Sequence, residues 1–292
     1  YLIGHGLRDA WSRLDKRSLA ALCLLLVLDL AIFGDALIAT APIVPSQAKR
    51  DADNYFAPTR EFAYAELTKG NVPLWNPYVF SGTPCVAACQ AAVFYPLNLH
   101  YMVLPIAKSI SLEIVIHVFL IGAFTFAWAR YWKMPHAAAT FAGVLMMFCG
   151  PYALRMVAGH LSLISAWPWA VLALLCVDAH IDTRRLLYAL IGAGALALAI
   201  LAGHPQAAVE AGFVLAIYAA LRCTQSGVSF RAVPGMLTIA IVPPLLSAVQ
   251  LFPALEIIHE TTRSAGMDYD AATSYSLPPE NLLTLVAPFM LG

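Results

Sequence analysis

The residues of this sequence best suited to chemistry are Asp51, Arg60, Trp75, Asn76, Gln90, Arg155, His160, His204, Gln206, Glu256 and Arg263. Mapped onto the apolar runs between them, all fall at the same ends of those runs or in the connections there. Their types match a coherent chemistry. Carboxylates accept protons, and a guanidinium pairs bidentately with phosphate oxygens. The amides of Asn76 and Gln206 both donate and accept, which suits hydroxyl-rich ligands. His160 and His204 each follow a glycine at the end of an apolar segment. Polar groups gathered at one membrane face point to a site at that interface. For any one of them the alternative is an ordinary loop residue near water. No comparable set is expected at the opposite face, where the polar residues are mostly lysines and arginines.

A second group of ionisable residues lies inside apolar runs: Asp29 and Asp35 in the first, and Glu113, His117 and Glu210 further on. Charges are costly there, so these side chains should face the interior and find partners. A proton relay or transport pathway would start from them, and structural hydrogen bonding is the alternative. Two histidines on separate helices have no ligand spacing that a sequence can certify. No cofactor is therefore expected; a divalent metal held by His160, His204 and Glu256 is the alternative to structural hydrogen bonds at the helix ends. Of the six cysteines, most lie in apolar runs as small packing residues, while Cys85 and Cys89 share a loop in which a disulfide is one option.

The elements that position these residues follow from composition. Hydrophobic residues make up 61% of the 292 and charged residues 12%, against roughly 25% charged in soluble domains. The net charge is zero, so nothing favours a nucleic-acid partner. Crossing a bilayer core of about 30 Å takes about 20 helical residues. Segments of that kind run over residues 19–42, 110–130, 137–155, 162–179, 186–203, 206–221 and 233–254, and an eighth begins near 281. Leucine- and alanine-rich runs of this length exclude a barrel. The expected fold class is an all-α, polytopic transmembrane helix bundle. The first residue is Tyr1 and the last line stops inside an apolar segment, so the chain reads as part of a longer protein.

Arg8, Arg13, Lys16 and Arg17 precede the first span; Arg130, Lys133, Arg184, Arg185, Arg222 and Arg231 fall on the same side if the spans alternate. The positive-inside rule makes that side cytoplasmic. Residues 1–18 form a cytoplasmic amphipathic segment, and residues 19–292 the transmembrane domain with a long outer loop over 43–109. Within this loop, residues 58–69 have helical periodicity and should lie along the surface. Residues 70–84, bounded by glycine and proline, form rigid irregular backbone whose aromatics Trp75, Tyr78 and Phe80 suit headgroup depth. Residues 92–106 are apolar but short and broken by Pro96 and Pro105, hence re-entrant or interfacial.

Asp51 with Tyr55, Pro58 and Arg60, then Gly70, Pro73-Leu74-Trp75-Asn76-Pro77-Tyr78, Gly82 and Pro84, resembles the bacterial YfhO-like membrane protein family. The likeness continues through Gln90, Phe94-Tyr95-Pro96-Leu97-Asn98, Gly159-His160, Ala166-Trp167-Pro168-Trp169 and Gly203-His204-Pro205-Gln206. It ends with Gln250-Leu251-Phe252-Pro253, Glu256, Arg263, Leu277-Pro278-Pro279 and Pro288. The proline-tryptophan-asparagine run is its most specific part.

The resemblance implies a glycosyltransferase of the C-type (GT-C) superfamily in the bacterial inner membrane, of which this is the N-terminal part. Such an enzyme moves a sugar from a polyprenyl-phosphate donor to a cell-envelope glycan or lipid acceptor, with its active side periplasmic or extracellular. It implies Asp51 as the general base, with Asp53 as fallback. Phosphate departs as a stable anion, so one carboxylate suffices, unlike the two of a glycoside hydrolase. On this reading Arg60, Arg155 and Arg263 meet the phosphate, His160 and His204 the phosphate or a sugar hydroxyl, and Asn76, Gln90 and Gln206 sugar hydroxyls. Glu256 and Glu260, one helical turn apart, orient the acceptor or pair with Arg263. The alternative for Asp51 is a solvated carboxylate beside Lys49 and Arg50, and for the arginines, pairing with acids or headgroups. The rival functions are a non-catalytic membrane subunit of a larger complex and a transporter. No internal repeat supports the transporter.

Overall fold

The computed structural model describes residues 15–226, 232–261, 264, 266, 268–274, 276–287 and 290. They are mostly helical. Five helices are long and apolar enough to cross a membrane: Lys16–Ile38, Ile106–Tyr131, His136–Ala158, Leu161–Thr183 and Pro205–Thr224. These identify, by length and composition, a multi-pass membrane protein. We label α1 Lys16–Ile38, α2 Ala57–Thr68, α3 Ile106–Tyr131, α4 His136–Phe148, α5 Gly150–Ala158, α6 Leu161–Thr183, α7 Leu186–Leu201, α8 Pro205–Ser226, α9 Val233–Leu246 and α10 Ala248–Ile257.

Four expected spans take a different form. The 16 residues of α7 reach about 24 Å at 1.5 Å each, less than a bilayer core. The span expected over 137–155 is two helices, α4 and α5, separated at Cys149, whose backbone is extended at ψ 148. Pro151 supplies no N–H there to continue the ladder. The span expected over 233–254 bends by 68° between α9 and α10, and counts as a sixth candidate only if the pair is one span. Pro243 and Pro244 lie at the end of α9. Ser247 at the bend donates its hydroxyl to the Ala197 carbonyl at 3.2 Å, and the Gln250 amide donates to the Ile200 carbonyl at 2.9 Å. The eighth span expected near 281 appears only as a 3-10 helix, Pro279–Leu285, and several residues after it lie outside the described ones, as does most of the amphipathic segment at 1–18.

The chain divides into two compact units, residues 1–254 and 255–292. In the first, α3 packs against α1, α4 and α6, and α7 sits between α6 and α9. Lipid tails are as apolar as leucine, so close backbone approach replaces hydrophobic burial as the force between helices. A Cβ on Gly143 of α4 would lie 2.9 Å from the Gly122 carbonyl of α3, so a larger residue would force these helices apart. Along α7 the buried residues are mostly small: Ala189, Gly192, Ala193, Ala195, Ala197 and Ala199. At its C-terminal end α1 is closed by Lys108 of α3, whose ammonium donates to the carbonyls of Ala36 and Ala39. A cation there also suits the negative end of the helix dipole.

The long connection between α1 and α3 has its own structure. A π turn, Ala52–Phe56, runs into α2, and a two-residue hairpin pairs Trp75–Asn76 (β1) with Thr83–Pro84 (β2) in antiparallel register. A 3-10 helix, Pro96–Met102, leads to α3. The helix expected over 58–69 is present as α2, but one face of it, with Thr59, Arg60, Ala63 and Tyr64, is buried. Ala63, Cys85, Val86, Ala91 and Val93 form a small core inside the connection. The second unit holds the end of α10, a 3-10 turn Ile258–Glu260, a short helix Tyr269–Thr273 and the 3-10 helix Pro279–Leu285.

Candidate functional site

Two Gly-His corners at the loop end of the bundle bring the site together. Helix α5 ends at Gly159 in the left-handed region, φ 78. The Gly159 and His160 amides return to the Met156 and Arg155 carbonyls at 3.0 and 2.9 Å, the Schellman pattern. A Cβ on Gly159 would come within 2.8 Å of the Ala52 Cβ, so glycine lets the start of the π turn rest on this corner. His160 Nε2 then meets Asp51 Oδ2 at 3.1 Å, and Arg155 Nη1 meets His160 Nδ1 at 3.2 Å. Arginine only donates. His160 Nδ1 must therefore accept, which leaves Nε2 as the nitrogen that faces the Asp51 carboxylate. Asp51 is 57% exposed, and its Oδ1 has no hydrogen bond among the described residues. Asp53, the fallback base, instead accepts the Lys49 amide at 2.9 Å and closes a turn.

The second corner repeats the device. Gly203, φ 97, lies where a Cβ would come 2.8 Å from Ser162 Oγ and 3.1 Å from Gln90 Cα. This holds the connection at Cys89–Gln90 against the start of α6. His204 follows, half-buried, within electrostatic reach of Glu210, His160 and Arg155. Burial holds its imidazole below the usual histidine range, with a smaller opposing pull from Glu210 and further lowering by His160 and Arg155. At pH 7 it is a neutral hydrogen-bonding group.

Beside this cluster lies an open groove of about 470 Å³ between the C-terminal end of α1 and residues 43–47, lined among others by Ile32, Phe33, Ile43, Pro45 and Val157. Val157 is part of the same helix as Arg155, and its carbonyl accepts the Gln47 amide at 3.0 Å. One short helix thus contributes Val157 to the groove wall and Arg155 to the cluster.

Asp51, Arg155, His160 and His204 are brought together, with Gln90 at the second corner. Other expected site residues are used elsewhere. Arg60 is fully buried, pairs with Glu113 and donates to the Tyr101 hydroxyl at 2.9 Å. Glu113 also accepts from Tyr101 and Ser165, each at 2.6 Å. Arg60 is enclosed because its only carboxylate partner sits inside α3, and a buried charge needs such a partner. Asn76 is buried in β1, where its side-chain oxygen accepts the Tyr78 amide at 3.0 Å. Gln206 donates to Glu210 at 2.9 Å along the exposed face of α8. Trp75 lies in the hairpin. Glu256 is exposed in the second unit with Glu260, and Arg263 lies outside the described residues. Cys85 and Cys89 are free thiols, each pushed up to about 11 by burial and so unreactive.

Several polar residues missed or left open by sequence reasoning form internal networks. His117 Nδ1 donates to the Glu113 carbonyl and its Nε2 accepts from Tyr95, both at 2.6 Å; Trp169 Nε1 donates to Tyr95 at 2.8 Å. The four-residue spacing of Glu113 and His117 in an apolar run was the available signal. Asp29 faces the bundle as expected, yet among the described residues neither carboxylate oxygen has a hydrogen-bond partner. The largest omission is at the opposite end of the bundle. There Asp178, fully buried, accepts from Trp128 at 2.8 Å, Trp132 at 2.9 Å, Tyr218 at 2.7 Å and Arg222 at 2.8 Å. Asp182 adds contacts to Arg222 and Tyr131. That end therefore does carry a polar cluster, marked in sequence by Asp178/Asp182 and Trp128/Trp132 at four-residue spacing.

Among the described residues no group of three or more His, Cys, Asp or Glu side chains could hold a metal ion. No family model, curated protein or solved structure matches the chain.

Proposed function

We propose that this chain is the N-terminal part of a GT-C-like membrane glycosyltransferase. It takes a sugar from a polyprenyl phosphate on the non-cytoplasmic face of a bacterial inner membrane and passes it to an envelope acceptor. The observation that carries this reading is the Asp51–His160–Arg155 cluster, set at the helix ends beside a mixed groove whose lining is mostly apolar but includes Asp35, Ser46 and Gln47. A lipid-linked donor needs that combination: an apolar surface for its tail, a cation for its phosphate, and a carboxylate at the membrane surface.

In this scheme Asp51 Oδ1 takes the proton of the acceptor hydroxyl while the acceptor oxygen bonds to the anomeric carbon. The bond from that carbon to the phosphate oxygen breaks with its electron pair, and the polyprenyl phosphate leaves as an anion facing Arg155. Attack opposite the leaving group inverts the anomeric configuration. His160 holds Oδ2 and thereby aims Oδ1. Arg155 has guanidinium N–H groups beyond the one on His160 for the departing phosphate. A neutral His204 and Gln90 are placed to meet sugar hydroxyls.

The test is release of polyprenyl phosphate from a panel of polyprenyl-phosphate hexoses by the purified full-length protein in lipid. Asp51→Asn should lower turnover by about 10²-fold or more, the usual contribution of a general base. Undiminished turnover in that variant at wild-type expression would remove Asp51 from the mechanism. A product with retained configuration would rule out single displacement.

A further inference from the structure

From Gly70 to Ala107 the sequence contains no Asp, Glu, Lys or Arg. Soluble domains average roughly a quarter charged residues overall, so a run of this length without one is unusual even though part of it is buried. The structure shows what this run displays. The β1–β2 hairpin holds Tyr78 and Phe80 at its tip, 83% and 88% exposed, with Leu74 and Trp75 exposed at its base.

The display is held firmly. The Trp75 ring covers Gly82 so closely that a Cβ there would lie 2.6 Å from it. The Phe62 ring of α2 meets the Tyr78 ring edge-on at 5.8 Å. Phe80 and Ser81 are both left-handed, φ 50 and 63, a conformation that non-glycine residues adopt only where the surroundings impose it. A second apolar ledge, with Leu99 and Val103 exposed, lies on and just after the 3-10 helix that leads into α3. That ledge adjoins the start of α3, one of the helices long and apolar enough to cross a membrane. The hairpin and the 3-10 helix both pack on α2, so the two apolar surfaces share one support.

We propose that the hairpin and this ledge form an in-plane membrane-docking surface, with Trp75, Tyr78 and Phe80 immersed at the headgroup–acyl boundary of the leaflet on the loop side. The partner is the lipid bilayer itself. Tryptophan and tyrosine prefer that layer, where the ring is buried and its polar edge stays hydrated. A docked apolar surface enters about 5–10 Å. The charged groups beside the hairpin, Glu66 and Lys69 of the supporting helix end, lie at its edge, where they would meet lipid headgroups. Continuity with the end of α3 favours lipid over a second copy of the chain. The inference does not depend on the glycosyltransferase reading.

The test uses the full chain in nanodiscs made with and without brominated phosphatidylcholine. Subtracting the emission of Trp75→Phe from that of the wild type isolates Trp75. The expected difference emission is blue-shifted, loses most of its intensity to brominated lipid and resists aqueous iodide. A red-shifted difference emission, quenched by iodide and untouched by brominated lipid, overturns the proposal. Should Trp75→Phe not fold, p-benzoylphenylalanine introduced at Phe80 gives a second measurement by photocrosslinking in native membranes. A phospholipid adduct supports the proposal, whereas an adduct to another polypeptide or to a second copy sinks it.

Discussion

Arg155 sets the hydrogen-bond roles at the candidate site, because a side chain that can only donate fixes what its neighbour must do. With Nδ1 committed to Arg155, His160 turns Nε2 towards the Asp51 carboxylate, 3.1 Å away. A neighbouring pair, Arg155 and His160, thus meets a carboxylate from about a hundred residues earlier, whose Oδ1 has no hydrogen bond among the described residues. The contrast with Arg60 is instructive. Both arginines looked equally suited to phosphate in the sequence, yet Arg60 meets Glu113 and is sealed inside, while Arg155 stays exposed. What separates them is a carboxylate 53 residues away, a relation that local spacing cannot reveal. His100 offers a pH test at the same scale. Burial lowers its imidazole from 6.5 to about 4, and neither ring nitrogen has a hydrogen-bond partner. The unfolded chain therefore binds a proton that the folded chain refuses. Stability from this group is full above about 6.5 and lost as pH falls from there towards 4. Melting temperatures of the wild type should decline over that window, and His100→Phe should flatten the decline. An identical slope in both would show that other groups carry it.

At the scale of elements, the two Gly-His corners do the positioning, and each works by having no side chain on its glycine. Gly159→Ala would strain a left-handed residue, costing about 1–2 kcal/mol, and would press against Ala52. The second effect should matter more for function, since it pushes Asp51 away from His160. We expect a modest fall in melting temperature and a fall in polyprenyl-phosphate release nearer to that of Asp51→Asn. Activity falling only in proportion to folded protein would mean the corner is merely a cap. These corners were legible in the sequence because glycine before histidine at the end of an apolar run is strong punctuation. So were the positions of most helices, where long apolar runs leave little choice. Their lengths and breaks were less legible. Pro151 divides one expected span, α7 stops short at 16 residues, and the residues near 247 bend instead of continuing. Each depends on how neighbouring helices receive the freed backbone groups, as Ala197 and Ile200 receive Ser247 and Gln250.

For the first unit as a whole, polar chemistry closes both ends of the bundle. The end opposite the candidate site depends on Asp178, which joins α3, α6 and α8 through two indoles, a phenol and a guanidinium. Asp178→Ala would strand several buried donors, Trp128, Trp132 and Tyr218 among them, and remove one of the carboxylates that Arg222 meets, so a loss of about 3 kcal/mol or more is expected. Asp178→Asn, which keeps an acceptor, should lose less. Thermal unfolding in detergent compares the two; equal and small losses would mean the cluster is ornamental. Sequence reading reserved that end for topology alone, because its arginine looked like a sidedness signal and its aspartates lay at the margin of an apolar run. The other end raises a question of timing. Lys108 caps the carbonyls of Ala36 and Ala39, yet it lies 72 residues after Ala36. At ribosomal speeds of ~5–20 residues per second, roughly 4–15 s pass before it is synthesised. During biogenesis the first helix must wait in the translocation machinery, or at the lipid surface, with its terminus unsealed. Its final seat is set by the arrival of the next span.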